Sequence, residues 1–233
     1  MASFISRKAE VLGKVLQDSA VLGESVIGEG SIIDRFVYVG YPRRSKLIGM
    51  KSAGDLNDLD RLSSGARIGS RCIIRSYTVI YEDVELGDGV ETGHGVLIRE
   101  GSRIGDGSRI GSFSQLDGCV EIGSGVSIQS NVYLPHLTRI GDRVFIGPGV
   151  IVTNDPYPVS GRLTGVRVRD EAVIGAGAIL RAGVEVGRRS VIGAGAVVTK
   201  DVPEDSVVVG SPARVMMTRS EYEERKRRYE LGR

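Results

Sequence analysis

The sequence contains no Trp, and aromatic residues make up only 5% of its 233 positions. Glycine, by contrast, is abundant, with 33 residues. A single thick core normally draws much of its buried area from large aromatic side chains. Few aromatic residues together with many glycines therefore favour thin, repeated layers over one thick core.

An excess of charge of either sign is also missing. The 31 Lys and Arg residues nearly balance the 29 Asp and Glu residues, so the net charge is only +2. This balance gives no reason to expect nucleic acid or a membrane surface as a partner. Residues 1–15 contain no long apolar run, which argues against a signal peptide or membrane anchor and makes the cytoplasm the default location. The only cysteines, Cys72 and Cys119, are interpreted as free thiols in a reducing compartment.

What the sequence does contain is an aliphatic residue at every sixth position. Between residues 68 and 152 the pattern departs from this rule only at Thr92. A small or β-branched residue follows each of these positions four residues later, as Cys72 follows Ile68. Shorter stretches of the same repeat run from Val15 to Val39 and from Val168 to Val198. The aliphatic positions of the long array are Ile68, Ile74, Ile80, Leu86, Ile98, Ile104, Ile110, Leu116, Ile122, Ile128, Leu134, Ile140, Ile146 and Val152.

Two polar segments interrupt the repeat, at about residues 41–66 and 153–167. From Arg219 onwards the sequence reads as a charged helix, with Ser220 and Glu223 in a capping-box pattern. We therefore predict a repeat domain over residues 1–218 with two excursions. A helix over 219–233 is expected to cover the end of the array.

A period of six fits neither the 3.6-residue turn of an α-helix nor simple strand alternation. It suits a short strand followed by a corner, with the aliphatic residue pointing inward. Three such sides close a triangular coil of 18 residues, and successive coils stack as parallel strands about 4.8 Å apart. The glycine that often follows the aliphatic residue, such as Gly87 or Gly105, is expected to provide backbone freedom.

The motifs RIGDG, EIGSG and VIGAGA, and the ending VVTKDVPEDSVVVGSPARVM, resemble the hexapeptide-repeat acyltransferases. The resemblance covers nearly the whole chain. It implies an all-β fold, namely a left-handed parallel β-helix of hexapeptide repeats with a short C-terminal α-helix. It also implies a homotrimer that binds acetyl-CoA between subunits.

Sorting the repeats three per coil gives three faces, which begin at Ile68, Ile74 and Ile80. The first face is uniform, with Gly and then Ser or Asp after each aliphatic residue, and is interpreted as structural. The second and third faces carry irregular polar residues, which is where function is usually added to a regular scaffold. The second-face column is Ser76, His94, Ser112, Ser130, Pro148, Ala176 and Ala194, and the third-face column is Glu82, Glu100, Gly118, His136 and Asn154.

His94 follows Thr92, the one broken aliphatic position, by two residues. Members of the resembling family often use a His to remove a proton from the acceptor, and an imidazole suits that task because its pKa lies near neutrality. His94 is therefore a candidate catalytic base, although a corner His could instead hydrogen-bond to the adjacent coil. His136 falls on a different face and is interpreted as a surface residue.

The segments IQSNVY and VTNDPYP resemble the nucleotide-sugar N-acetyltransferases. In some of these an Asn in the position of Asn131 lies beside the reacting amine, which makes Asn131 a second catalytic candidate. Asn154 and Asp155 follow as substrate-binding candidates, and Glu100 joins them from the third-face column. The alternatives are a stacked corner Asn at 131 and plain turn chemistry at 154–155. The second excursion is expected to close over a neighbouring subunit's site.

Two Gly-Ala-Gly-Ala motifs lie 18 residues apart and should stack into a smooth groove for the pantetheine arm of CoA. Thr199, Lys200 and Arg214 match family positions near the adenosine phosphates. Lys200 and Arg214 provide the cations that phosphates require, and Thr199 adds a hydroxyl. The cofactor-binding candidates are Gly175, Ala176, Gly177, Ala194, Gly195, Thr199, Lys200 and Arg214.

These features favour an acetyl-CoA-dependent N-acetyltransferase that acts on a nucleotide-linked amino sugar. One alternative is an O-acetyltransferase for a sugar or serine hydroxyl, and another is a non-catalytic trimeric scaffold on the same helix. A zinc carbonic anhydrase of this fold would need three His ligands per site. The chain has two His residues on different faces, so no metal is predicted.

Overall fold

The computed structural model describes residues 2–50 and 55–232, which build a three-sided parallel β-helix. The first face consists of β2 (Glu10–Val11), β5 (Val26–Ile27), β8 (Arg67–Ile68), β11 (Glu85–Leu86), β14 (Arg103–Ile104), β17 (Glu121–Ile122), β20 (Arg139–Ile140), β23 (Arg167–Val168) and β26 (Glu185–Val186). The second face consists of β3 (Lys14–Val15), β6 (Ile32–Ile33), β9 (Ile73–Ile74), β12 (Glu91–Thr92), β15 (Arg109–Ile110), β18 (Ser127–Ile128), β21 (Phe145–Ile146), β24 (Val173–Ile174), β27 (Val191–Ile192), β29 (Ser206–Val209) and β30 (Arg214–Thr218). The third face consists of β1 (Phe4–Ile5), β4 (Ala20–Val21), β7 (Tyr38–Tyr41), β10 (Val79–Tyr81), β13 (Leu97–Ile98), β16 (Gln115–Leu116), β19 (Tyr133–Leu134), β22 (Ile151–Val152), β25 (Ile179–Leu180) and β28 (Val197–Val198).

Each strand of the long array pairs in parallel with the strands one coil away. Ile104, for example, lies between Leu86 and Ile122, so the 18-residue coil is confirmed. The aliphatic residues of the repeat form one continuous buried core along the axis. The predicted fold class, an all-β parallel β-helix of hexapeptide repeats with a short C-terminal helix, is confirmed.

Thr92, the one departure from the aliphatic pattern, is also fully buried. Its hydroxyl accepts the backbone N–H of Arg75 at 3.0 Å and lies 3.4 Å from the hydroxyl of Thr78. A buried hydroxyl is costly only when it has no hydrogen-bond partner. Thr92 can therefore point inward, because residues of the preceding coil provide hydrogen-bond partners for its hydroxyl.

The glycines that follow the first-face aliphatic residues serve a different purpose from the one expected. Gly69 and Gly105 do not adopt positive φ, but a Cβ on either would come within 2.6–2.7 Å of backbone atoms in the next coil. Close coil stacking therefore excludes a side chain at these positions. Positive φ occurs two residues later, at Gly107 and Gly125 (φ 65° at each), where the corner itself turns.

The first excursion leaves the helix after β7 and returns at β8. Its described part contains α1 (Arg44–Ile48) and α2 (Leu56–Leu62), whereas residues 51–54 of this segment lie outside the described residues. The buried carboxylate of Glu82 holds the excursion, since it accepts hydrogen bonds from Lys46 Nζ at 2.6 Å, Arg43 Nε at 2.8 Å and Ser64 N at 2.8 Å. Burial alone would raise the pKa of Glu82, but the hydrogen bonds from Lys46 and Arg43 prevail and lower it to about 2.

The C-terminal segment closes the second face. β30 runs antiparallel to β29, and α3 (Arg219–Glu230) packs against both strands. The expected cap at Ser220 and Glu223 is wrong: the N-cap is Thr218, and its hydroxyl and Glu221 form the capping box. Thr218 still has extended backbone geometry at the end of β30, so the helix starts two residues earlier than the pattern indicated. Nothing in residues 2–50 and 55–232 forms a helix with both the length and the apolarity that crossing a membrane requires.

Replacing Glu82 with Gln should destabilise the protein, because two cations would lose the carboxylate that neutralises them. Since both cations are partly exposed, we expect a loss of about 2 kcal/mol at pH 7, below the usual value for a fully buried pair. The folded-state pKa lies below the ordinary value of 4.5. The difference between the two proteins should therefore shrink as the pH falls from about 4.5 towards 2.

Chemical denaturation at several pH values measures this effect. Glu121→Gln is a suitable control, because Glu121 is half exposed and pairs with Arg139 on the solvated first face. That variant should change the unfolding free energy by about 0.5 kcal/mol or less. Equal losses for the two variants would contradict a specific role of Glu82 in holding the excursion.

Candidate functional site

The second corner joins the second face to the third and carries the predicted column that includes His94. Each carbonyl in this column accepts a backbone N–H from the next coil, as His94 does from Phe113 at 2.9 Å and Ala176 from Gly195 at 2.8 Å. The same ladder links Ser112 to Asn131 and Pro148 to Gly177. The structure thus brings His94, Asn131 and both Gly-Ala-Gly-Ala motifs onto one edge of the β-helix.

The C-terminal half of the second corner presents bare backbone. Ala176, Gly177, Ala194 and Gly195 are exposed, and both glycines adopt positive φ. Gly175 lies so close to the next coil that a Cβ there would be 2.5 Å from the backbone nitrogen of Ala194. The surface is therefore smooth and offers peptide groups to an extended ligand.

A cavity of about 700 Å³ adjoins this bare edge. Its floor is the outer surface of the second face, and α3 forms its wall. The wall residues Tyr222, Lys226 and Tyr229 have the spacing i, i+4, i+7 that places side chains on one side of a helix. Sequence reasoning assigned α3 no functional role, although this spacing was readable. Residues that line the cavity include Gly175, Val191, Ala194, Tyr222, Lys226 and Tyr229.

His94 is exposed, and its backbone N–H donates to Ser112 Oγ at 3.1 Å. Within the described residues its ring makes no hydrogen bond, so it is free to meet a ligand. A hydrogen bond from Ser76 is the main cause of the lowered pKa of Asp34, and the charge of His94 lowers that pKa further. Asn131 is also exposed, with a left-handed backbone (φ 59°) that Asn tolerates better than most residues.

The third corner joins the third face to the first and carries the other predicted column. His136 Nδ1 lies 3.1 Å from the carbonyl of Gly118, and Asn154 Nδ2 donates to the carbonyl of His136 at 3.2 Å. Glu100, one coil before Gly118, is paired with Arg99, whose guanidinium also binds Asp117 at 2.6 Å. Glu100 and Asn154 thus share an edge, with an imidazole between their levels.

The geometry of His136 was missed by the sequence interpretation. A carbonyl oxygen can only accept, so Nδ1 must carry the proton and the neutral ring keeps a free lone pair on Nε2. The ring is half buried, as an oriented base would be. His136 belongs to the same third-face column as Glu100 and Asn154. Its membership of that column was the signal for a functional role that the sequence contained.

Asp155 shapes its own loop. It accepts hydrogen bonds from Ser160 N at 2.8 Å and Ser160 Oγ at 2.7 Å, which are the main causes of its lowered pKa, and from Tyr157 N at 2.9 Å. These bonds fold the second excursion, which lies between β22 and β23, into a compact turn. The turn exposes the side chains of Tyr157 and Val159.

The remaining cofactor candidates do not lie on the bare edge itself. Lys200 and Arg214 line a separate cavity of about 280 Å³, and Thr199 follows directly after β28 of the third face. The third face therefore separates Thr199 and Lys200 from Ala194, although all three belong to the same coil. Arg214 lies at the start of β30 and pairs with Val209, which lines the larger cavity beside Ala194. Among residues 2–50 and 55–232, His, Cys, Asp and Glu form no group of three or more that could hold a metal ion.

Two family models match this chain. The bacterial transferase hexapeptide (six repeats) matches residues 65–100, 101–136 and 165–200, and the hexapeptide repeat of succinyl-transferase matches residues 138–182. The 2,3,4,5-tetrahydropyridine-2,6-dicarboxylate N-acetyltransferase of Staphylococcus carnosus is 42% identical over 87 residues, which cover 37% of this chain. That match spans only 36% of the relative's length.

Similar solved structures include WeeI from Acinetobacter baumannii, which is 26% identical with a TM-score of 0.45, covering 74% of this chain and 65% of that one. Another is the UDP-N-acetylglucosamine O-acyltransferase of Moraxella catarrhalis, which is 17% identical with a TM-score of 0.47, covering 97% of this chain and 76% of that one. The stacked repeats and their two differentiated corners define a hexapeptide-repeat β-helix protein. Together the family models match more than half of the chain, and the chain belongs to the hexapeptide-repeat transferases.

The tautomer of His136 is directly measurable. At alkaline pH, where the ring is neutral, ¹⁵N-detected NMR should show a protonated Nδ1 and an unprotonated Nε2, because the Gly118 carbonyl fixes the proton on Nδ1. His94, the other His of the chain, is an internal control: no hydrogen bond within the described residues fixes the proton of its ring, so it should show a mixture of both tautomers. Protonation of His136 on Nε2 would contradict the geometry described here.

Proposed function

We propose that this protein transfers an acetyl group from acetyl-CoA to the amine of a nucleotide-linked amino sugar. The observation that carries the proposal is the bare edge at Ala176 and Ala194, with a cavity of about 700 Å³ beside it. An amide-bearing pantetheine arm can hydrogen-bond to peptide groups along such an edge. In the cavity beside it, Lys226 could bind a phosphate group, and the tyrosine rings could stack on a nucleobase.

The reaction is an attack of the acceptor amine on the thioester carbonyl, with loss of the CoA thiolate and of one amine proton. A backbone N–H of the bare edge would stabilise the oxyanion of the tetrahedral intermediate. Asn131 would hold the amine, and Glu100, Asn154 and Asp155 would contact the rest of the acceptor. Asp155 would act mainly through the loop that its hydrogen bonds shape.

The proton acceptor is one of the two imidazoles. His94 stands on the same corner as Asn131 and is exposed to a ligand. His136 belongs to the same coil as Asn131 and has a fixed tautomer with a free Nε2. The fixed tautomer also supports the alternative function, an O-acetyltransferase, because a hydroxyl needs a base more than an amine does.

A homotrimer accounts for the division of the candidates between two corners. In a head-to-tail ring, one subunit's second corner meets the third corner of the next subunit. A three-fold axis parallel to the β-helix keeps equal levels together. Asn131 would then face His136, and Ala194 would face Lys200 of the neighbouring chain.

Both cysteine thiols are free, and Cys119 is exposed, which supports a reducing, cytoplasmic location.

The direct test is to incubate the protein with acetyl-CoA and a panel of nucleotide-linked amino sugars and plain sugars while following thiol release. We expect release with amino-sugar acceptors. Release only with plain sugars would favour the O-acetyltransferase. If the protein neither released thiol nor bound acetyl-CoA, the non-catalytic scaffold would be the favoured function.

Alanine substitution of each His identifies the base. Removing the true base should lower kcat by about 100- to 10,000-fold, as is usual for general-base residues. The other variant acts as its matched control and should keep kcat within about an order of magnitude. Unchanged kcat in both variants would contradict a protein base.

Mixed trimers test the corner-to-corner arrangement. Ala194→Trp should block the exposed edge, and Lys200→Glu should repel CoA phosphates, so each homotrimer should be inactive. In mixed trimers, a site is intact when its second corner comes from a Lys200→Glu subunit and its third corner from an Ala194→Trp subunit. Coexpression of the two variants should therefore restore activity to about a quarter of the sites. No recovery in mixed trimers of three times the 24.9 kDa chain mass would contradict a site shared between subunits.

A further inference from the structure

The second corner contains a left-handed backbone position in every coil, and its occupants change along the axis. In its N-terminal half the occupants are mostly large aromatic residues, and in its C-terminal half they are glycines. Asn131 stands where the two halves meet. The occupants in order are Asp18, Phe36, Tyr77, Gly95, Phe113, Asn131, Gly149, Gly177 and Gly195.

The aromatic half is costly in the isolated chain. Phe36, Tyr77 and Phe113 have φ of 60°, 65° and 60°, a region that bulky residues seldom adopt. Burial does not compensate, since Tyr77 and Phe113 are each 63% exposed and Phe36 is 39% exposed. Glycine would adopt the same backbone conformation without strain, as Gly149 and Gly177 do in the C-terminal half of the second corner. The exposed ring faces are therefore available to a partner outside this chain.

The rings are also arranged along the edge. Phe36 and Tyr77 stack at 5.2 Å between centroids with planes 9° apart, and the Arg35 guanidinium lies 5.1 Å from the Phe36 centroid. Phe113 leans across the preceding coil, where a Cβ on Gly95 would come within 2.8 Å of its ring. Gly95 thus keeps space for the Phe113 ring beside His94.

We infer that this aromatic edge, defined as Phe36, Tyr77 and Phe113, binds the nucleobase of the acceptor nucleotide by stacking. The inference rests on the proposed function and specifies how its substrate is recognised. The acceptor lies along the aromatic half, the pantetheine arm lies along the glycine half, and the two meet near His94 and Asn131. Both ligands thereby approach the reacting position along one edge from opposite ends.

A nucleobase suits this edge better than a second protein copy. Each ring is directly preceded by a polar or charged residue, namely Arg35, Ser76 and Ser112. A base has a flat apolar face and a polar rim, and it uses both kinds of group at once. The dry centre of a protein interface is instead depleted of such polar neighbours.

The test measures binding of uridine, thymidine, cytidine, guanosine and adenosine 5′-diphosphates, with inorganic pyrophosphate as the probe that lacks a base. Isothermal titration calorimetry should show binding of at least one nucleoside diphosphate and much weaker binding of pyrophosphate. Tyr77→Gly and Phe113→Gly should each weaken that binding by about 5- to 150-fold, the usual loss for one base–aromatic stack. Acetyl-CoA binding should stay unchanged.

The glycine variants also separate recognition from folding. Each removes a strained backbone, so its melting temperature should stay equal or rise. Arg71→Gly is a matched control: Arg71 has φ 55° at the corner between the first and second faces, and its replacement should leave nucleotide binding unchanged. Nucleotide binding that is equal in wild type and both ring variants would overturn the inference, as would a wild type that binds no nucleoside diphosphate.

Other outcomes distinguish the inference from the function on which it rests. A fall in oligomer mass by light scattering in Phe113→Gly, without loss of nucleotide binding, would assign the edge to a second copy and overturn the inference. Acetyl transfer to a free amino sugar as fast as to a nucleotide-linked one would also overturn it, while leaving acetyl transfer intact. Failure to bind acetyl-CoA would instead refute the proposed function.

Discussion

The structure depends on one constraint: each coil must lie one strand spacing above the previous one, in register, so that its backbone hydrogen bonds close. The two excursions respect this constraint because they leave and return at corners. β5 pairs with β8 and β20 pairs with β23 despite the inserted residues, so the inward residues Ile27 and Ile68 still meet. Glu82 then holds the first excursion against the coil with a buried carboxylate.

The same constraint converts sequence positions into columns, and each column can carry a separate property. The first face bears alternating charges such as Arg103 and Glu85, which pair on a solvated surface. The second corner carries aromatic rings, then Asn131, then bare peptide groups. The third corner carries Glu100, His136 and Asn154. Chemistry is thereby added to corners while the core stays uniform.

Division of the candidates between two edges of the third face has a consequence for assembly. Within one chain, a face of the triangle separates Ala194 from Lys200 and Asn131 from His136. The members of each pair nevertheless belong to the same coil. An arrangement that repeats the chain around an axis parallel to the β-helix would join them without any change in level. The division is therefore the arrangement that the proposed shared site would require.

The repeat, the inward residues and the columns follow from the sequence, because a period of six within an 18-residue coil sets which residues stack on one another. Tertiary structure alone decided three other features. It showed that Gly69 avoids a clash with the next coil, that the Gly118 carbonyl orients His136, and that α3 walls a cavity beside Ala194. Each of these depends on distances between atoms of different coils or elements. A periodic pattern specifies which residues are neighbours, but it does not specify how close their side chains come.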